Sequence, residues 1–344
     1  MDTSDRKPIE SGGMTMKLAF FDTKPYDIPG FDRYAVPLGI EIKYFESRLN
    51  MDTAALAAGF DAVCVFVNDT VSAEVVQKLY ELGIKAIVLR CAGFNNVDLK
   101  ACQGKLRVFR VPAYSPHAVA EHAMALLLTV NRRIHKAHNR TREFNFSLQG
   151  LTGFDLYGKT VGVIGTGKIG RVFADICRGF GMKVLAYDKY PASDSGLEYV
   201  ELDELFEKSD VISLHCPLTV ETDHLIRSGS IRRMKDGVVI VNTSRGGLVN
   251  TEDLIQGLKS GKVGAACLDV YEEEGEVFYE DLSGHILQDD KLVRLIAMPN
   301  VIVTSHQAFL TKEALDNIAK TTVDNLKRFF ANDPDPNTEV AYRR

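Results

Sequence analysis

Tryptophan is absent from the 344 residues, and cysteine is scarce: the six cysteines show no C-x-x-C spacing, and most lie in apolar runs. A thiol in such a run behaves as a small hydrophobe, and this usage is typical of a reducing compartment. No apolar stretch approaches the length of a membrane span, and residues 1–15 lack the apolar segment of a signal peptide. We therefore expect a cytoplasmic protein without a membrane partner, ordered from Met16 onward after a disordered extension over residues 1–15.

Positive charge is not in excess either. Lysine and arginine number 41 against 46 aspartates and glutamates, which gives a formal net charge of −5. This balance offers no electrostatic reason to expect nucleic acid or an anionic membrane as a partner, so an anionic ligand must be bound by local design. The 45% hydrophobic and 25% charged residues are typical of a globular protein. The length favours about two domains.

A glycine-rich turn lies between a predicted strand and a predicted helix. The apolar run over residues 161–165 precedes a helix-compatible segment over residues 168–180, so Gly165, Gly167 and Gly170 occupy the G-x-G-x-x-G positions. The first glycine permits a tight turn, the second lets backbone N–H groups approach a pyrophosphate, and the third lets the helix pack closely on the strand. The turn therefore predicts a dinucleotide site.

A second apolar run follows at residues 183–187 and ends in Asp188. A carboxylate at this spacing from the glycines suits hydrogen bonds from an adenosine ribose. A 2′-phosphate would meet the same carboxylate with like-charge repulsion, so we expect NAD(H) to be preferred to NADP(H). The neighbouring Lys189 is a cation that acts in the opposite direction.

Short apolar runs alternate with helix-like segments along the whole chain. Before the glycine turn, the predicted strands cover residues 17–21, 41–45, 62–67, 86–89 and 108–111. From the turn onward they cover residues 161–165, 183–187, 211–214, 238–242, 263–268 and 301–304. This alternation predicts an α/β protein with two parallel sheets covered by helices, the first flavodoxin-like and the second a dinucleotide domain.

Two longer segments have helical periodicity. Residues 116–142 are predicted to form one helix with cations near its C-terminal end, and residues 311–330 another, with Thr311 as its N-cap. The second helix has no place in the dinucleotide domain, so we expect it to pack on the N-terminal domain and the tail beyond Asn332 to be irregular. His135 and His138 have no acidic or cysteine partner at ligand spacing, so no metal is predicted.

Polar side chains follow the strands of the second series, at the edge where an open parallel sheet binds ligands. They are Asp188, His215, Ser244, Arg245, Asp269, Glu272, Glu273, Glu274, Ser305 and His306. Reduction of a 2-oxo acid needs a cation for the carboxylate and a proton donor for the developing alkoxide. Arg245 offers the planar cation, His306 the proton, and Glu274 a carboxylate that favours and orients the charged imidazole.

Each of these three residues also has a simpler interpretation. Arg245 could be a surface turn residue, Glu274 part of a solvated acidic run, and His306 a histidine satisfied within the fold. Their joint placement at one sheet edge favours the catalytic interpretation over all three at once.

Several segments resemble one known family. They are RCAGFNNVD at 90–98, VPAYSP at 111–116, AEH at 120–122, GTGKIG at 165–170, HCPLT at 215–219, VNTSRG at 241–246, LDVYE at 268–272 and TSHQAF at 304–309. Together they make the chain similar, from Met16 to Phe330, to the NAD-dependent D-2-hydroxyacid dehydrogenases, and most of all to the bacterial fermentative D-lactate dehydrogenases.

The resemblance implies two doubly wound parallel-sheet domains with a cleft between them. A Rossmann NAD domain over residues 116–307 would be inserted in a flavodoxin-like substrate domain made of residues 16–115 and 308–344. It also implies NADH-dependent, reversible reduction of pyruvate to D-lactate by a homodimer or higher homo-oligomer. The small-molecule 2-oxo or 2-hydroxy acid would be the partner, with no nucleic acid.

The resemblance further implies roles for individual residues. Arg245 would bind the substrate carboxylate, with His306 as acid and base and Glu274 as its partner. Besides the three glycines, the NAD site would comprise Lys168, Ile169, Asp188, Cys216, Pro217, Thr222, Thr243, Ser244 and Asp269. The backbone at Ala92 and Gly93, with Tyr114, would hold the carboxylate. The segment Phe66–Val67 resembles the stretch that forms a short apolar wall for the methyl group of pyruvate, and Tyr114 and Phe309 are further candidates for this wall.

Two alternatives stay open at this stage. The first is a dehydrogenase for another 2-oxo acid, either a bulkier aliphatic one or glyoxylate and hydroxypyruvate. The second is an NAD(H)-sensing binding protein, like the corepressors that share this fold and keep similar catalytic positions. The absence of long disordered interaction tails favours an enzyme.

Overall fold

The computed structural model describes residues 16–342, so the predicted extension over residues 1–15 lies outside the described residues. The chain forms two compact units. The first comprises the chain up to Tyr114 and from Lys312 onward, and the second is Ser115–Thr311. Ser115 and residues 308–311 thus belong to the second unit. None of the described helices is long and apolar enough to cross a membrane.

The elements alternate along the chain as the apolar pattern indicated. Up to Tyr114 they are β1 (Met16–Phe20), α1 (Ile28–Ala35), β2 (Ile40–Tyr44), β3 (Ala62–Val65), α2 (Ala73–Glu81), β4 (Ala86–Leu89), α3 (Leu99–Cys102) and β5 (Arg107–Phe109). The second unit begins with α4 (Pro116–Arg132), α5 (Ile134–Arg142), β6 (Thr160–Ile164), α6 (Lys168–Gly179), β7 (Lys183–Tyr187) and β8 (Glu198–Tyr199). It continues with α7 (Leu202–Lys208), β9 (Val211–Leu214), α8 (Ser228–Arg233), β10 (Val238–Asn242), α9 (Thr251–Ser260), β11 (Val263–Leu268), α10 (Asp290–Ala297) and β12 (Val301–Val303). The last elements are α11 (Lys312–Phe330) and β13 (Glu339–Val340).

The sheet of the first unit has the order β13-β5-β4-β3-β1-β2. Without β13 this is the flavodoxin-like order 2-1-3-4-5, with parallel neighbours throughout. Helix α11 packs against α1 and β4 of this unit. Its buried side chains include Ile318, Ala319, Val323 and Leu326, and an ion pair of 2.8 Å joins Arg33 on α1 to Asp316.

The prediction of an irregular tail beyond Asn332 is wrong. Residues Glu339 and Val340 form β13, which pairs antiparallel with β5 at Phe109 and Val108. The Arg107 guanidinium also contacts the Glu339 carboxylate. A strand of this length carries no readable alternation of apolar residues, so its existence depends on an open sheet edge that the sequence pattern does not reveal.

The sheet of the second unit has the order β12-β11-β10-β9-β6-β7-β8, and every neighbouring pair is parallel. From β8 to β11 this is the doubly wound order 3-2-1-4-5-6, with β12 added at the edge. The predicted six strands omitted the two-residue β8. Alternate side chains along β9 and β10 belong to two different apolar clusters. Ile212 and Ile240 lie in one cluster, and Val211 and Val239 lie in the other. Both faces of the sheet are therefore covered.

The prediction of a single helix over residues 116–142 is also wrong, because two helices cover this range. Arg133 has φ 52° and ψ 32°, in the left-handed region, and separates α4 from α5. The apolar spacing runs on to Ile134, but that side chain is 52% exposed, so the periodicity continued past the end of the buried stripe. The Arg133 guanidinium donates to the carbonyl of Pro299 at 2.9 Å and helps hold this conformation.

Several predicted strands extend too far at their C-terminal ends: β1, β2, β3, β5, β6 and β12 end at Phe20, Tyr44, Val65, Phe109, Ile164 and Val303. The next residues bond elsewhere. The backbone N–H of Phe66, for example, donates to the Asp69 carboxylate at 2.5 Å instead of extending β3. Apolar character persists at Phe21, Phe66 and Val111 because these side chains are buried in the turns that follow β1, β3 and β5.

Candidate active site

The turn between β6 and α6 has the geometry that its three glycines predicted. Gly165 has φ 92°, and a Cβ there would lie 2.5 Å from the backbone nitrogen of Cys216. A Cβ on Gly170 would lie 2.0 Å from the carbonyl oxygen of Gly165, so only glycine lets the helix approach the strand this closely. Gly167 faces open space, with no heavy atom within 4 Å of a Cβ position. These are the conditions under which the N-terminus of α6 can receive a pyrophosphate.

Asp188 follows β7 directly and accepts three hydrogen bonds. Its Oδ2 accepts from the backbone N–H of Thr166 at 2.7 Å and from the Thr166 hydroxyl at 3.0 Å, and its Oδ1 accepts from the N–H of Tyr190 at 2.9 Å. Partial burial alone would raise the pKa of Asp188. These hydrogen bonds and nearby Arg171 outweigh that effect and lower the pKa, so the carboxylate is charged at neutral pH.

A cavity of about 500 Å³ opens at this edge of the second sheet. Of the residues predicted for the NAD site, it is lined by Gly165, Gly167, Asp188, Cys216, Pro217 and Thr222. Its walls are mostly apolar, and the charged residues of its lining are Asp188, Lys189 and Glu221. An apolar pocket with the Asp188 carboxylate in its lining fits an adenosine with its ribose, so the cavity and the glycine turn together fit NAD.

The other predicted NAD residues lie outside this cavity lining. Lys168, Ile169 and Gly170 form the first turn of α6, where Ile169 packs against the core under the sheet. Ser244 donates its hydroxyl to the carbonyl oxygen of Cys216 at 2.6 Å. Thr243 is buried, and its hydroxyl has no hydrogen-bond partner among the described residues.

Asp269 follows β11 and is fully buried. Its carboxylate accepts from the Thr304 hydroxyl at 2.6 Å and from the backbone N–H groups of Gln307 at 2.9 Å and Ala308 at 2.8 Å. Its carbonyl oxygen accepts from the N–H of His306 at 2.7 Å. Asp269 therefore fixes the backbone on both sides of His306, a contribution that its predicted place in the NAD site did not include.

His306 and Glu274 form the pair that the sequence indicated. The Nδ1 of His306 lies 2.7 Å from Oε1 of Glu274, and Oε2 of Glu274 accepts from the N–H of Tyr271 at 2.9 Å. The hydrogen bond to an ionised carboxylate assigns a proton to Nδ1, which leaves Nε2 to exchange a proton with a substrate. The imidazole is 19% exposed and the carboxylate 24%, so both are half-buried but accessible.

The backbone of His306 is strained, with φ 52°. Such a conformation costs about 1 to 3 kcal/mol in a residue other than glycine and persists only where the surroundings enforce it. The Tyr279 hydroxyl donates to the carbonyl oxygen of His306 at 3.0 Å, and Asp269 holds the N–H on the other side. These two hydrogen bonds stabilise the strained backbone and thereby fix the direction of the His306 imidazole.

Arg245 follows β10 in an extended conformation. One guanidinium nitrogen donates to the carbonyl oxygen of Ser244 at 2.6 Å, and the buried Asn242 donates to the carbonyl oxygen of Arg245 at 2.8 Å. The guanidinium has five N–H donors in a planar fork, so several stay available for a carboxylate. Arg245, Glu274 and His306 therefore follow β10, β11 and β12, three adjacent strands of one sheet.

The remaining predicted residues are described each within its own unit. In the first, Ala92 and Gly93 lie in the loop after β4, where the carbonyl oxygen of Ala92 accepts from Arg110 at 2.9 Å. The carbonyl oxygen of Tyr114 accepts from Asn317 on α11 at 2.6 Å. Phe66 is 3% exposed, and its ring lies 4.0 Å from the Arg90 guanidinium. In the second unit, Phe309 is 8% exposed.

His215, which also follows a strand at this edge, has a structural environment. Its Nε2 lies 2.9 Å from the Ser213 hydroxyl, its ring lies 4.9 Å from that of Phe173, and burial lowers its pKa to about 3. It is therefore neutral at working pH and supplies no charge to the site.

Sequence reasoning missed three residues that support the site. His122 on α4 places Nε2 at 3.1 Å from the Thr304 hydroxyl and 3.3 Å from the Asp269 carboxylate. The Thr166 hydroxyl contacts Asp188, and Tyr279 contacts His306. His122 lies in the quoted AEH segment and Thr166 in the quoted GTGKIG segment, but the sequence holds no signal for the contacts themselves, because each joins residues of different elements.

Fold and site together are typical of one class, the α/β oxidoreductases with a dinucleotide site: an arginine and a histidine paired with a carboxylate follow adjacent strands at one sheet edge. The model of the D-isomer specific 2-hydroxyacid dehydrogenase NAD binding domain matches residues 124–308. The D-lactate dehydrogenase of Escherichia coli is 52% identical over 94% of this chain and 100% of its own length.

Two solved structures extend the comparison. The pyruvate reductase of Chlamydomonas reinhardtii has a TM-score of 0.89 at 43% identity, covering 93% of this chain and 98% of that one. A D-2-hydroxyisocaproate dehydrogenase has a TM-score of 0.85 at 33% identity, covering 95% and 100%. The chain belongs to the D-isomer-specific 2-hydroxyacid dehydrogenase family. It is an NAD-dependent D-2-hydroxyacid oxidoreductase.

Proposed function

We propose that this enzyme reduces pyruvate to D-lactate with NADH. The observation that carries the proposal is the His306–Glu274 pair, with Nδ1 and Oε1 2.7 Å apart, on the strand edge that also bears Arg245. A proton donor oriented by a carboxylate, together with a planar cation, is what the reduction of a small 2-oxo acid requires. Relatives named D-lactate dehydrogenase and pyruvate reductase support the choice of substrate.

The residues of the chain divide the reaction between them. Arg245 binds the substrate carboxylate through two parallel N–H donors and so fixes the position of the adjacent carbonyl group. Bound NADH supplies the hydride, which the carbonyl carbon accepts. His306 gives the proton on Nε2 to the carbonyl oxygen as that oxygen becomes an alkoxide, and Glu274 stabilises the charged imidazole beforehand. In the reverse direction His306 takes the proton back.

We further propose roles for four predicted residues of the first unit and for Phe309 of the second. The backbone of Ala92 and Gly93, with Tyr114, would hold the substrate carboxylate, and Phe66, Tyr114 and Phe309 would limit the space beyond the carbonyl carbon. The burial of Phe66 and its position over Arg90 support a rigid side chain at the end of β3. A rigid aromatic wall favours a methyl group over longer substituents.

A panel of 2-oxo acids tests the proposal, with NADH oxidation followed by absorbance at saturating NADH. We expect the highest kcat/KM for pyruvate, a lower value for 2-oxobutyrate, and poor use of branched and aromatic acids. Faster reduction of 2-oxoisocaproate or phenylpyruvate would support the alternative of a dehydrogenase for bulkier acids, as the hydroxyisocaproate relative indicates. NADH binding without turnover of any acid would favour a sensing protein.

Phe66→Ala is expected to relax the order of substrates, because it opens the wall at the end of β3. We expect the kcat/KM ratio of 2-oxobutyrate to pyruvate to rise by about tenfold, which is the usual value of one methylene in a pocket. Loss of a buried aromatic ring destabilises a fold by about 3 to 5 kcal/mol, so Phe66→Leu serves as a milder variant of the same change.

The matched control is Phe21→Leu, because Phe21 is equally buried and follows β1 in the same sheet. It should lower the melting temperature without changing the order of substrates. If the order is the same in Phe66→Ala, Phe66→Leu and the unchanged enzyme, Phe66 is not part of the wall.

A homodimer or higher homo-oligomer is proposed as the working form. The segment after α5 supports this proposal, because Phe144, Phe146 and Leu148 are 85%, 71% and 80% exposed. Apolar side chains so exposed and so close together are typical of a protein interface. A cytoplasmic location is likewise a proposal, supported by six buried cysteines that are all free.

A further inference from the structure

The Asp188 carboxylate, the predicted ligand of the ribose, is held by more than its own strand. Of the three donors to Asp188, two belong to Thr166, the residue between the first two glycines of the turn. Each carboxylate oxygen has two acceptor positions, so Oδ2 is fully used by the N–H and the hydroxyl of Thr166. Oδ1 accepts only from Tyr190 among these donors and keeps one position for a ligand hydroxyl.

A third side chain fixes the Thr166 hydroxyl. The Tyr199 hydroxyl lies 2.9 Å from that of Thr166 and also accepts from the backbone N–H of Ala192 at 3.4 Å. Tyr199 belongs to β8, the two-residue strand at the sheet edge, where it is paired with Ala186 of β7. The short strand thus brings a phenol beside the glycine turn.

The direction of the protons in this chain follows from the charge of Asp188. An ionised carboxylate only accepts, so the one hydroxyl proton of Thr166 points to Asp188. The Tyr199 hydroxyl must then donate to Thr166. Every proton from Ala192 to Asp188 is therefore directed toward the carboxylate, an order in which each hydrogen bond strengthens the next.

The cations near Asp188 make the orientation of its carboxylate important for the choice between NADH and NADPH. Lys189 is an exposed cation that pairs with Glu221 at 3.2 Å, and Arg171 donates to the carbonyl oxygen of Thr166 at 3.0 Å. Exposed ion pairs are weak, so Lys189 can still attract an anion. The negative charge of a fixed Asp188 is what opposes a phosphate at this place.

We propose that Tyr199 and Thr166 are positioning residues for cofactor choice, which hold Asp188 so that Oδ1 accepts from a ribose hydroxyl and the carboxylate repels a 2′-phosphate. The proposal rests on the dinucleotide site and is independent of the 2-oxo acid. It extends the proposed function by naming the residues, outside the ligand contacts, that set the preference for NADH over NADPH.

The test measures the dissociation constants of NADH and NADPH by calorimetric titration, without any 2-oxo acid. We expect the NADPH-to-NADH ratio of dissociation constants to fall by at least about tenfold in Thr166→Val and by about threefold in Tyr199→Phe, because one hydrogen bond to, or next to, a charged group is lost. Thr166→Ser keeps the hydroxyl and should restore the ratio. Tyr199→Phe removes a single oxygen atom, so it keeps the test valid if Thr166→Val fails to fold.

The control variants separate positioning from general damage. Tyr80→Phe, which changes an exposed side chain on α2, should leave both dissociation constants unchanged. In an Asp188→Ser background the additional change Tyr199→Phe should no longer alter the ratio, because the side chain that it positions is gone. A lower melting temperature with equal weakening of NADH and NADPH would indicate a purely structural role and overturn the proposal.

The remaining outcomes are equally decisive. If Asp188→Ser abolishes the preference but Thr166→Val and Tyr199→Phe do not, Asp188 selects the cofactor without their help and the proposal is wrong. If the unchanged enzyme binds NADH and NADPH equally, no selection exists at Asp188 and the proposal fails with it. Neither result bears on pyruvate, whose reduction is measured separately.

Discussion

His306→Ala is expected to lower kcat for pyruvate reduction by at least about a hundredfold, because general acid catalysis by a positioned side chain contributes about 10² to 10⁴ in rate. The change removes the proton on Nε2 at the point where the carbonyl oxygen becomes an alkoxide. The proposed dinucleotide site lies around Gly165 and Asp188, and the hydrogen bonds of Asp188 do not involve His306. NADH should therefore bind as before, which a titration of the variant measures directly.

The matched control is His285→Ala, which removes an exposed histidine of the same unit. It should leave kcat unchanged. Glu274→Gln keeps the shape of the pair but removes its charge, so we expect a smaller loss than in His306→Ala. A His306→Ala enzyme with near-normal kcat would assign the proton transfer to another group.

Arg245→Lys should lower kcat/KM for pyruvate by about 10 to 100-fold, the usual range for losing a hydrogen bond between charged groups. Lysine keeps the charge but not the planar fork, so it cannot bind a carboxylate through two parallel bonds. Because the position of the carbonyl group depends on those two hydrogen bonds, we expect kcat to fall and KM to rise. Steady-state kinetics over a range of pyruvate concentrations separates the two parameters.

Arg233→Lys is the control for this substitution, since Arg233 is the last residue of α8 and forms a surface ion pair with Asp203. It should leave both parameters unchanged. Unaltered kcat/KM for pyruvate in Arg245→Lys would remove Arg245 from the substrate site.

The sequence was most informative where burial is continuous. Strands such as β7, β9, β10 and β11 have the bounds that their apolar runs predicted, because a strand covered on both faces reads as an unbroken apolar segment. The same reasoning predicted that side chains after β10, β11 and β12 would share one edge. His306 and Glu274 accordingly form a hydrogen bond although 32 positions separate them in the chain.

The sequence was least informative where one contact decides the backbone. The break at Arg133, the two-residue strands β8 and β13, and the φ of 52° at His306 each depend on partners distant in sequence. The position of Asp269 after β11 was predictable from the sequence. Its hydrogen bonds to the backbone next to His306 were not predictable. Local pattern carries no information about which distant donor a carboxylate will find.

The most direct test of the central claim is the product of the unchanged enzyme with pyruvate and NADH. Lactate is separated by a chiral column while NADH oxidation is followed by absorbance. We expect D-lactate, formed in an amount equal to the NADH oxidised. Formation of L-lactate, or the absence of lactate from an enzyme that binds NADH and reduces a bulkier 2-oxo acid, would contradict it.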